Sequence, residues 1–330
     1  MKILDEVRNA KTIGIGAHVN PDGDAIGACM GMYLFLKKAL PGARVDVFSG
    51  DFKESLKKNI PSADEIRFDY ATDVQQYDAF ICLDTADDRL GAAQDCFLHA
   101  AKKINIDHHV SNSGCGDVNY IEPKASSTSE LVFEAIDEKM IDEPIARSLY
   151  IGIVTDTGVF KYSNTSERTM QIAGKLLNYG FDQTTLIDEI FYQKDYVQNQ
   201  ILGRALLESM LFRDGTCICS VIDRRTMDFY QATPMDMDGI VSQLMLTTGV
   251  KCAIFLYEVQ PLTFKVSLRS NGEINVADIA SFYGGGGHVR AAGCTVNAPY
   301  HDIINNISDS IDIQLQRAER KNRAASVQAV

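Results

Sequence analysis

Residues 13–27, IGIGAHVNPDGDAIG, combine an apolar segment, a polar turn and the start of a second apolar segment. The first segment favours a β-strand, and the run that follows the turn is typical of a buried helix. A proline and a glycine favour a sharp turn between them, where His18, Asp22 and Asp24 are crowded together. Gly27 allows that helix to pack closely against a neighbour. The segment therefore predicts the first βα unit of an α/β fold.

The alternation of strand and helix patterns continues through the first half of the chain. Strands are predicted at residues 12–18, 43–49, 77–85 and 102–109. Helices are predicted at residues 24–39, 126–140 and 145–157. Ser127 and Glu130 have the spacing of a capping box at the start of the second of these helices. The pattern predicts a mainly parallel sheet flanked by helices.

The second half of the chain has a different organisation. Two helices are predicted between residues 182 and 210, followed by strands and a short helix at 215–223, 250–259, 264–270 and 276–283. The polar tail, 317–330, is predicted to fray. We therefore predict an α/β domain at 1–190, a helical linker at 191–210 and a smaller α/β domain at 211–330.

Composition limits the classes of partner and location. A net charge of −12 argues against binding long duplex nucleic acid along a basic surface. The eight cysteines contain no C-x-x-C pair, which favours a reducing compartment. The charged N-terminal residues do not resemble a signal peptide, and no run of 18 apolar residues predicts a membrane span. We expect a cytoplasmic protein without a membrane partner.

Four polar segments each follow an apolar strand or helix. They are HVNPDGD (18–24), LDTAD (83–87), IDHH (106–109) and VTDTG (154–158). Each aspartate alone would most often cap a helix. Residues at the carboxyl ends of parallel strands meet at one edge of the sheet, however, and so many carboxylates would repel one another without a cation. Mixed imidazole and carboxylate ligands favour two divalent ions of the manganese type rather than calcium, with Mg²⁺ or Co²⁺ as alternatives.

These four segments resemble the motifs of the DHH phosphoesterases, and residues 266–293 resemble the DHHA1 domain that accompanies them. Motif order is most similar to the nano-RNase members, which degrade very short oligoribonucleotides; some also dephosphorylate 3′-phosphoadenosine 5′-phosphate. The resemblance implies that His18 and Asp22 bind one metal and that Asp84 bridges both. It implies that the second metal is bound by Asp24, His108 and Asp156.

The same resemblance implies roles for two neighbouring residues. Asp107 would orient an imidazole, and His109 would contact the substrate and is a candidate proton donor. Asp84, Asp107 and His109 are therefore the expected catalytic residues.

The glycine run GGGGH (284–288) is neither a Walker motif nor a dinucleotide fingerprint. It is either a flexible connection or a phosphate-binding loop. We favour substrate binding by Arg269, Gly285, Gly286, Gly287 and His288, because an arginine and a histidine accompany the glycines. Arg290 and Arg89 are left open between phosphate contacts and ordinary surface roles.

The predicted reaction is two-metal hydrolysis of a short oligoribonucleotide to 5′-mononucleotides, in a cleft between the domains, with a nucleotide bisphosphate as a further substrate. One alternative is a phosphodiesterase for linear dinucleotides from cyclic-dinucleotide turnover. Another is a metal-loaded nucleotide sensor without turnover. A homodimer is kept open as a possible assembly.

Overall fold

The computed structural model describes the backbone of residues 1–328 and the side chains of residues 1–317. The chain divides into two compact units, Met1–Gln193 and Lys194–Val330. Each unit contains one six-stranded sheet with helices packed against it. The predicted α/β class is confirmed for both units.

The sheet of the first unit is parallel throughout. Its strands are β1 Thr12–Gly16, β2 Arg44–Phe48, β3 Ile66–Arg67, β4 Ala79–Leu83, β5 Lys103–Asp107 and β6 Val118–Ile121. Their spatial order is β3-β2-β1-β4-β5-β6. The order reverses between β1 and β4, which is where ligands bind in open sheets of this kind.

Helices cover both faces of this sheet. They are α1 Ile3–Val7, α2 Gly23–Ala39, α3 Glu54–Asn59, α4 Gln94–His99, α5 Thr128–Ala135, α6 Glu143–Asp156, α7 Glu167–Leu177 and α8 Gln183–Ile187. The larger core lies between one face and helices α2, α5 and α6. A smaller aromatic core, which includes Phe48, Phe80 and Phe97, fills the face next to α4. Burial on both faces explains why the central strands β1 and β4 are almost entirely apolar.

The sheet of the second unit is mixed, since only β8 and β9 pair in parallel. Its strands are β7 Met210–Phe212, β8 Cys217–Ile222, β9 Cys252–Gln260, β10 Thr263–Ser270, β11 Gly286–His288 and β12 Ala291–Asn297. The helices are α9 Tyr196–Leu207, α10 Arg224–Tyr230, α11 Ile240–Met245, α12 Val276–Phe282 and α13 Tyr300–Gln328. Helices α9, α10 and α11 cover one face; α12 and α13 cover the other. None of the described helices is long and apolar enough to cross a membrane.

Some boundaries differ from the sequence-based predictions. The predicted helix at 126–140 ends at Ala135 and is followed by a 3₁₀ turn at Glu138–Met140. The tail that was expected to fray continues α13 to Gln328, and residues 329 and 330 lie outside the described chain. Helix α9 falls within the predicted linker and packs on the second unit through Ile201 and Ala205. The three-part division at 190 and 210 stays a prediction.

The contact between α2 and α6 leads to a first testable prediction. A Cβ atom on Gly27 would lie 2.5 Å from the carbonyl oxygen of Ser148 and 2.8 Å from the amide nitrogen of Gly152. Because both are backbone atoms, Gly27→Ala must separate the helices, and we expect it to lower the free energy of unfolding by about 1–3 kcal/mol. Chemical denaturation checks this. Gly174→Ala is the matched control, since this helical glycine has nothing within 4 Å; equal stability of both variants would contradict the close approach.

Candidate metal centre and substrate residues

The first group of potential ligands lies where the strand order reverses. His18 follows β1 and Asp84 follows β4, and these strands are neighbours. The His18 Nε2 atom is 3.5 Å from Asp84 Oδ2 and 4.0 Å from Asp22 Oδ2. One donor atom from each of the three residues lies within 4.8 Å of the other two. This spacing suits a single metal ion.

A second group lies beside the first and contains Asp24, His108 and Asp156. The His108 Nε2 atom is 4.0 Å from Asp24 Oδ2 and 3.7 Å from Asp156 Oδ2. Their donor atoms also lie within 4.8 Å of one another. Asp24 comes from the first turn of α2 and Asp156 from the last residue of α6, while His108 follows β5. Three separate elements thus contribute one ligand each.

Asp84 lies between the two groups. Its Oδ1 atom is 3.6 Å from His108 Nε2, whereas its Oδ2 atom is 3.5 Å from His18 Nε2. The residue is buried and has a left-handed backbone, with φ of 59°. Such a conformation costs an aspartate on the order of 1 kcal/mol or more and is common at functional sites. The two carboxylate oxygens therefore face different groups, as a bridging ligand requires.

The electrostatics of these groups favour a cation. Burial and the charge of Asp24 raise the pKa of Asp84 well above its usual value. Burial, together with Asp24 and Asp22, raises the pKa of Asp156 to about 8. Burial lowers the pKa of His18, and the charge of Arg89 acts in the same direction, which favours the neutral imidazole that binds metals. A divalent ion at each group would reverse the repulsion between the carboxylates, so the donor set fits two such ions.

The N-terminus of α5 supports the second group. The backbone N–H groups of Thr128 and Ser129 donate to the two oxygens of Asp24, at 2.6 and 2.9 Å. A helix N-terminus favours an anion, and here that anion is the carboxylate of Asp24. Ser127 is the N-cap, as predicted. The Glu130 carboxylate instead accepts hydrogen bonds from Ser126 and from α7, so the reciprocal half of the capping box is absent from the described structure.

A hydrogen-bonded chain holds the imidazole of His109. Asp107 Oδ1 is 2.7 Å from His109 Nδ1, and Asp107 Oδ2 accepts from Asn112 at 2.6 Å. Although burial acts in the opposite direction, the hydrogen bonds from His109 and Asn112 lower the pKa of Asp107. The hydrogen bond to Asp107 raises the pKa of His109. His109 is 41% exposed, so its ring remains accessible from solvent.

Two asparagines near the ligands were missed in the sequence. Asn112 contacts Asp107, and Asn164 donates to Asp156 Oδ2 at 3.3 Å and to the Ser126 carbonyl oxygen at 2.9 Å. Asn112 lies three residues after His109, just beyond the segment IDHH that resembles the family motif. Its position there was the available signal, whereas Asn164 lies in a polar loop that has no comparable pattern.

The predicted substrate residues of the second unit lie on β10 and on or just before β11, the two strands on either side of β12. Arg269 and His288 are both paired with Ala291, from opposite sides. Directly paired residues point to the same face of a sheet, so the two side chains share a face and their strands are about 10 Å apart. The side chains of Phe264, Val266 and Leu268 point to the opposite face of β10 and fill the core beneath α12 and α13. Lys265 and Ser267 therefore share the face of Arg269.

The glycine run forms an edge strand, which corrects its interpretation as a loop. A Cβ atom on Gly285 would lie 2.2 Å from the Gly293 carbonyl oxygen, and one on Gly287 would lie 2.4 Å from that of Ala291. Gly287 also has φ of 146°, and a Cβ on Gly286 would have nothing within 4 Å. Two glycines are thus required by the close approach of β12, whereas Gly284 and Gly286 have open space. Arg290 lies against Gly272.

Comparisons with known proteins agree with this geometry. Residues 12–153 match the model of the DHH family, N-terminal domain, and residues 215–316 match that of the DHHA1 domain. The bifunctional oligoribonuclease and PAP phosphatase NrnA of Thermus thermophilus is 29% identical, over 96% of this chain and 95% of that protein. NrnA of Bacillus subtilis is 27% identical, over 86% of this chain and 89% of that protein.

A solved structure extends the similarity to the fold. It is an exopolyphosphatase-related protein from Bacteroides fragilis, 26% identical, with a TM-score of 0.83 and coverage of 94% of both chains. The matched domains include β1, β4 and β5 as well as the paired strands that carry Arg269 and His288. The chain therefore contains a DHH domain followed by a DHHA1 domain.

Proposed function

We propose that this chain is a metal-dependent phosphoesterase that hydrolyses short oligoribonucleotides to 5′-mononucleotides and 3′-phosphoadenosine 5′-phosphate to AMP. The observation that carries the proposal is the position of Asp84, whose two oxygens face two separate groups of ligands. The names of the NrnA relatives support the choice of substrates. The match to the DHH family supports hydrolysis rather than the alternative of a sensor without turnover.

The metals proposed are two manganese ions. His18, Asp22 and Asp84 would bind one, and Asp84, Asp24, His108 and Asp156 would bind the other. Mixed nitrogen and oxygen donors suit manganese better than calcium, and Mg²⁺ or Co²⁺ are the alternatives. When bound, two such ions supply positive charge to the phosphoryl oxygens and activate water as a nucleophile.

The chain's own residues would perform the remaining steps. Asp107 holds His109 through Nδ1, which leaves Nε2 to donate a proton to the departing 3′-oxygen. The raised pKa of His109 increases the protonated fraction near neutral pH, as a proton donor requires. Arg269 and His288 would bind a phosphate of the substrate, and the exposed Gly286 allows its close approach. Lys265 and Ser267 would extend the same polar face.

Substrate length provides the test and a second prediction. We expect catalytic efficiency per molecule to fall when the substrate exceeds about five nucleotides, since one compact module binds roughly four or more nucleotides. The net charge of −12 offers no long basic track for the rest of a strand. The measurement compares a dinucleotide, a pentamer, a 20-mer and 3′-phosphoadenosine 5′-phosphate, with chromatography of products in Mn²⁺, Mg²⁺ or Co²⁺.

Each alternative has a separate result in this assay. Equal efficiency on the 20-mer and the dinucleotide would contradict the short-substrate proposal. Turnover of linear dinucleotides alone would favour the cyclic-dinucleotide pathway, and nucleotide binding without any product would favour the sensor. A chelator-treated sample is the control and should be inactive until metal is restored. The cytoplasmic location and a possible homodimer stay predictions.

A further inference from the structure

The second unit contains a cavity that the proposed reaction does not use. Its volume is about 420 Å³, and it is lined by Arg204, Asp223, Arg225, Thr226, Phe229 and Tyr230. None of these side chains belongs to the proposed metal ligands or substrate residues. A cavity of this size falls in the range that holds small ligands. Its walls come from α9, α10 and the residue that caps α10.

The walls combine arginine side chains, a carboxylate and aromatic rings. Arg225 forms no hydrogen bond or ion pair with any residue in the described part of the chain, whereas Arg204 is paired with Glu208. Phe229 is 78% exposed, and its ring lies against Tyr230 at 4.9 Å between centroids. Arg225 and Phe229 are four residues apart on α10 and therefore share a face. A guanidinium without a hydrogen bond or ion pair among the described residues thus shares a helix face with an exposed aromatic ring.

The carboxylate in the cavity also has a suitable role. Asp223 Oδ1 accepts a hydrogen bond from the Thr226 backbone N–H at 2.8 Å. Hydrogen bonds with Thr226 lower the pKa of Asp223, and the charges of Arg225 and Arg204 make smaller contributions in the same direction. The lining contains two arginines and one aspartate, and Glu208 balances the charge of Arg204, so Arg225 and Asp223 present opposite charges in the wall. A carboxylate beside a phosphate site can accept hydrogen bonds from ribose hydroxyls.

We propose that this cavity binds one nucleotide unit. The base would stack on the exposed ring of Phe229, which Tyr230 meets at an interplanar angle of 87°. The phosphate would pair with Arg225, and a ribose hydroxyl would donate to Asp223. The occupant is either a free mononucleotide or the terminal nucleotide of an oligonucleotide, since both present the same groups. The site does not depend on the metal ligands, so it stands or falls separately from the proposed phosphoesterase activity.

The test measures binding to the full chain without divalent ions. AMP and a 5′-phosphorylated trinucleotide are titrated by calorimetry in EDTA, where the metal centre makes no contribution. We expect Arg225→Ala and Phe229→Ala to weaken binding at least about tenfold and Phe229→Tyr to retain it. Arg224→Ala is the matched control, because this neighbouring arginine is paired with Asp228 and lies outside the cavity. Circular dichroism verifies that each variant is folded.

The outcomes distinguish a free mononucleotide from the terminal nucleotide of an oligonucleotide, and they can also show that the cavity does not bind nucleotides. Arg225-dependent binding of AMP assigns a free mononucleotide, and Arg225-dependent binding of the trinucleotide alone assigns the end of a chain. Affinity that is unchanged in Arg225→Ala and Phe229→Ala overturns the proposal. It is also overturned if His288→Ala abolishes all binding of both probes, because the nucleotides then occupy the Arg269 and His288 face.

Discussion

Replacing Asp84 with asparagine is expected to reduce phosphoesterase activity by about 10³-fold or more and to remove bound metal. The reason is that Asp84 is the residue whose oxygens face both ligand groups, at 3.5 Å from His18 and 3.6 Å from His108. When residues act together, the effects of their substitutions on activity are strongly non-additive, so the loss of one shared ligand should abolish the activity of the whole metal centre. Metal analysis and dinucleotide turnover on the same preparation measure the effect.

In the metal-free protein, the same substitution is expected to increase stability. The pKa of Asp84 is raised in the folded protein, through burial and the charge of Asp24. The folded state then holds a proton that the unfolded state releases, so stability of the metal-free protein falls as pH rises above about 3.9, the ordinary value for aspartate. At neutral pH, metal-free Asp84→Asn should therefore unfold at a higher temperature than metal-free wild type.

Manganese should reverse that order, because only the wild type gains stability from binding two ions. Thermal unfolding with and without Mn²⁺ distinguishes these cases. Asp88→Asn is the matched control, as this aspartate is exposed and lies outside the ligand groups. A folded Asp84→Asn protein that retains two ions and the full metal-dependent increase in melting temperature would sink the bridging role.

Substituting His288 with alanine is expected to lower kcat/KM for a dinucleotide by about 10- to 150-fold while both metals remain bound. The proposed metal ligands all belong to the first unit, whereas His288 lies on β11 of the second. His288 and Arg269 share a sheet face, and the loss of one charged contact to phosphate costs about 1.5–3 kcal/mol. Steady-state kinetics and metal analysis together separate a substrate contact from a metal ligand.

His301→Ala is the control for this change, because His301 is also an exposed histidine of the second unit. Its kinetics should equal those of the wild type. Wild-type kinetics for His288→Ala would instead mean that the glycine run serves only the close pairing of β11 with β12. The phosphate contacts would then have to come from Arg269 and its neighbours on β10.

Local patterns in the sequence were sufficient for the elements with strong periodicity or continuous burial. Strands β1, β2, β4 and β5 and helices α2 and α6 were all predicted, because apolar runs reflect burial between two layers. The polar residues that end those elements were also recognisable, since a helix cap accounts for one aspartate but not for carboxylates at four such ends. The short β3 and the half-exposed β6 have neither signal.

The tertiary structure alone decided which of these ends meet. Nothing local places β1 beside β4, yet that neighbourhood brings His18 to 3.5 Å from Asp84. The donation from Thr128 to Asp24 joins residues 104 positions apart. Strand β11 is likewise a product of pairing, because its glycines have no side chains to reveal it. Periodicity in the sequence indicates how each segment is buried. Strand order and long-range hydrogen bonds depend instead on how whole helices and sheets pack, and the site forms only where that packing brings the polar ends together.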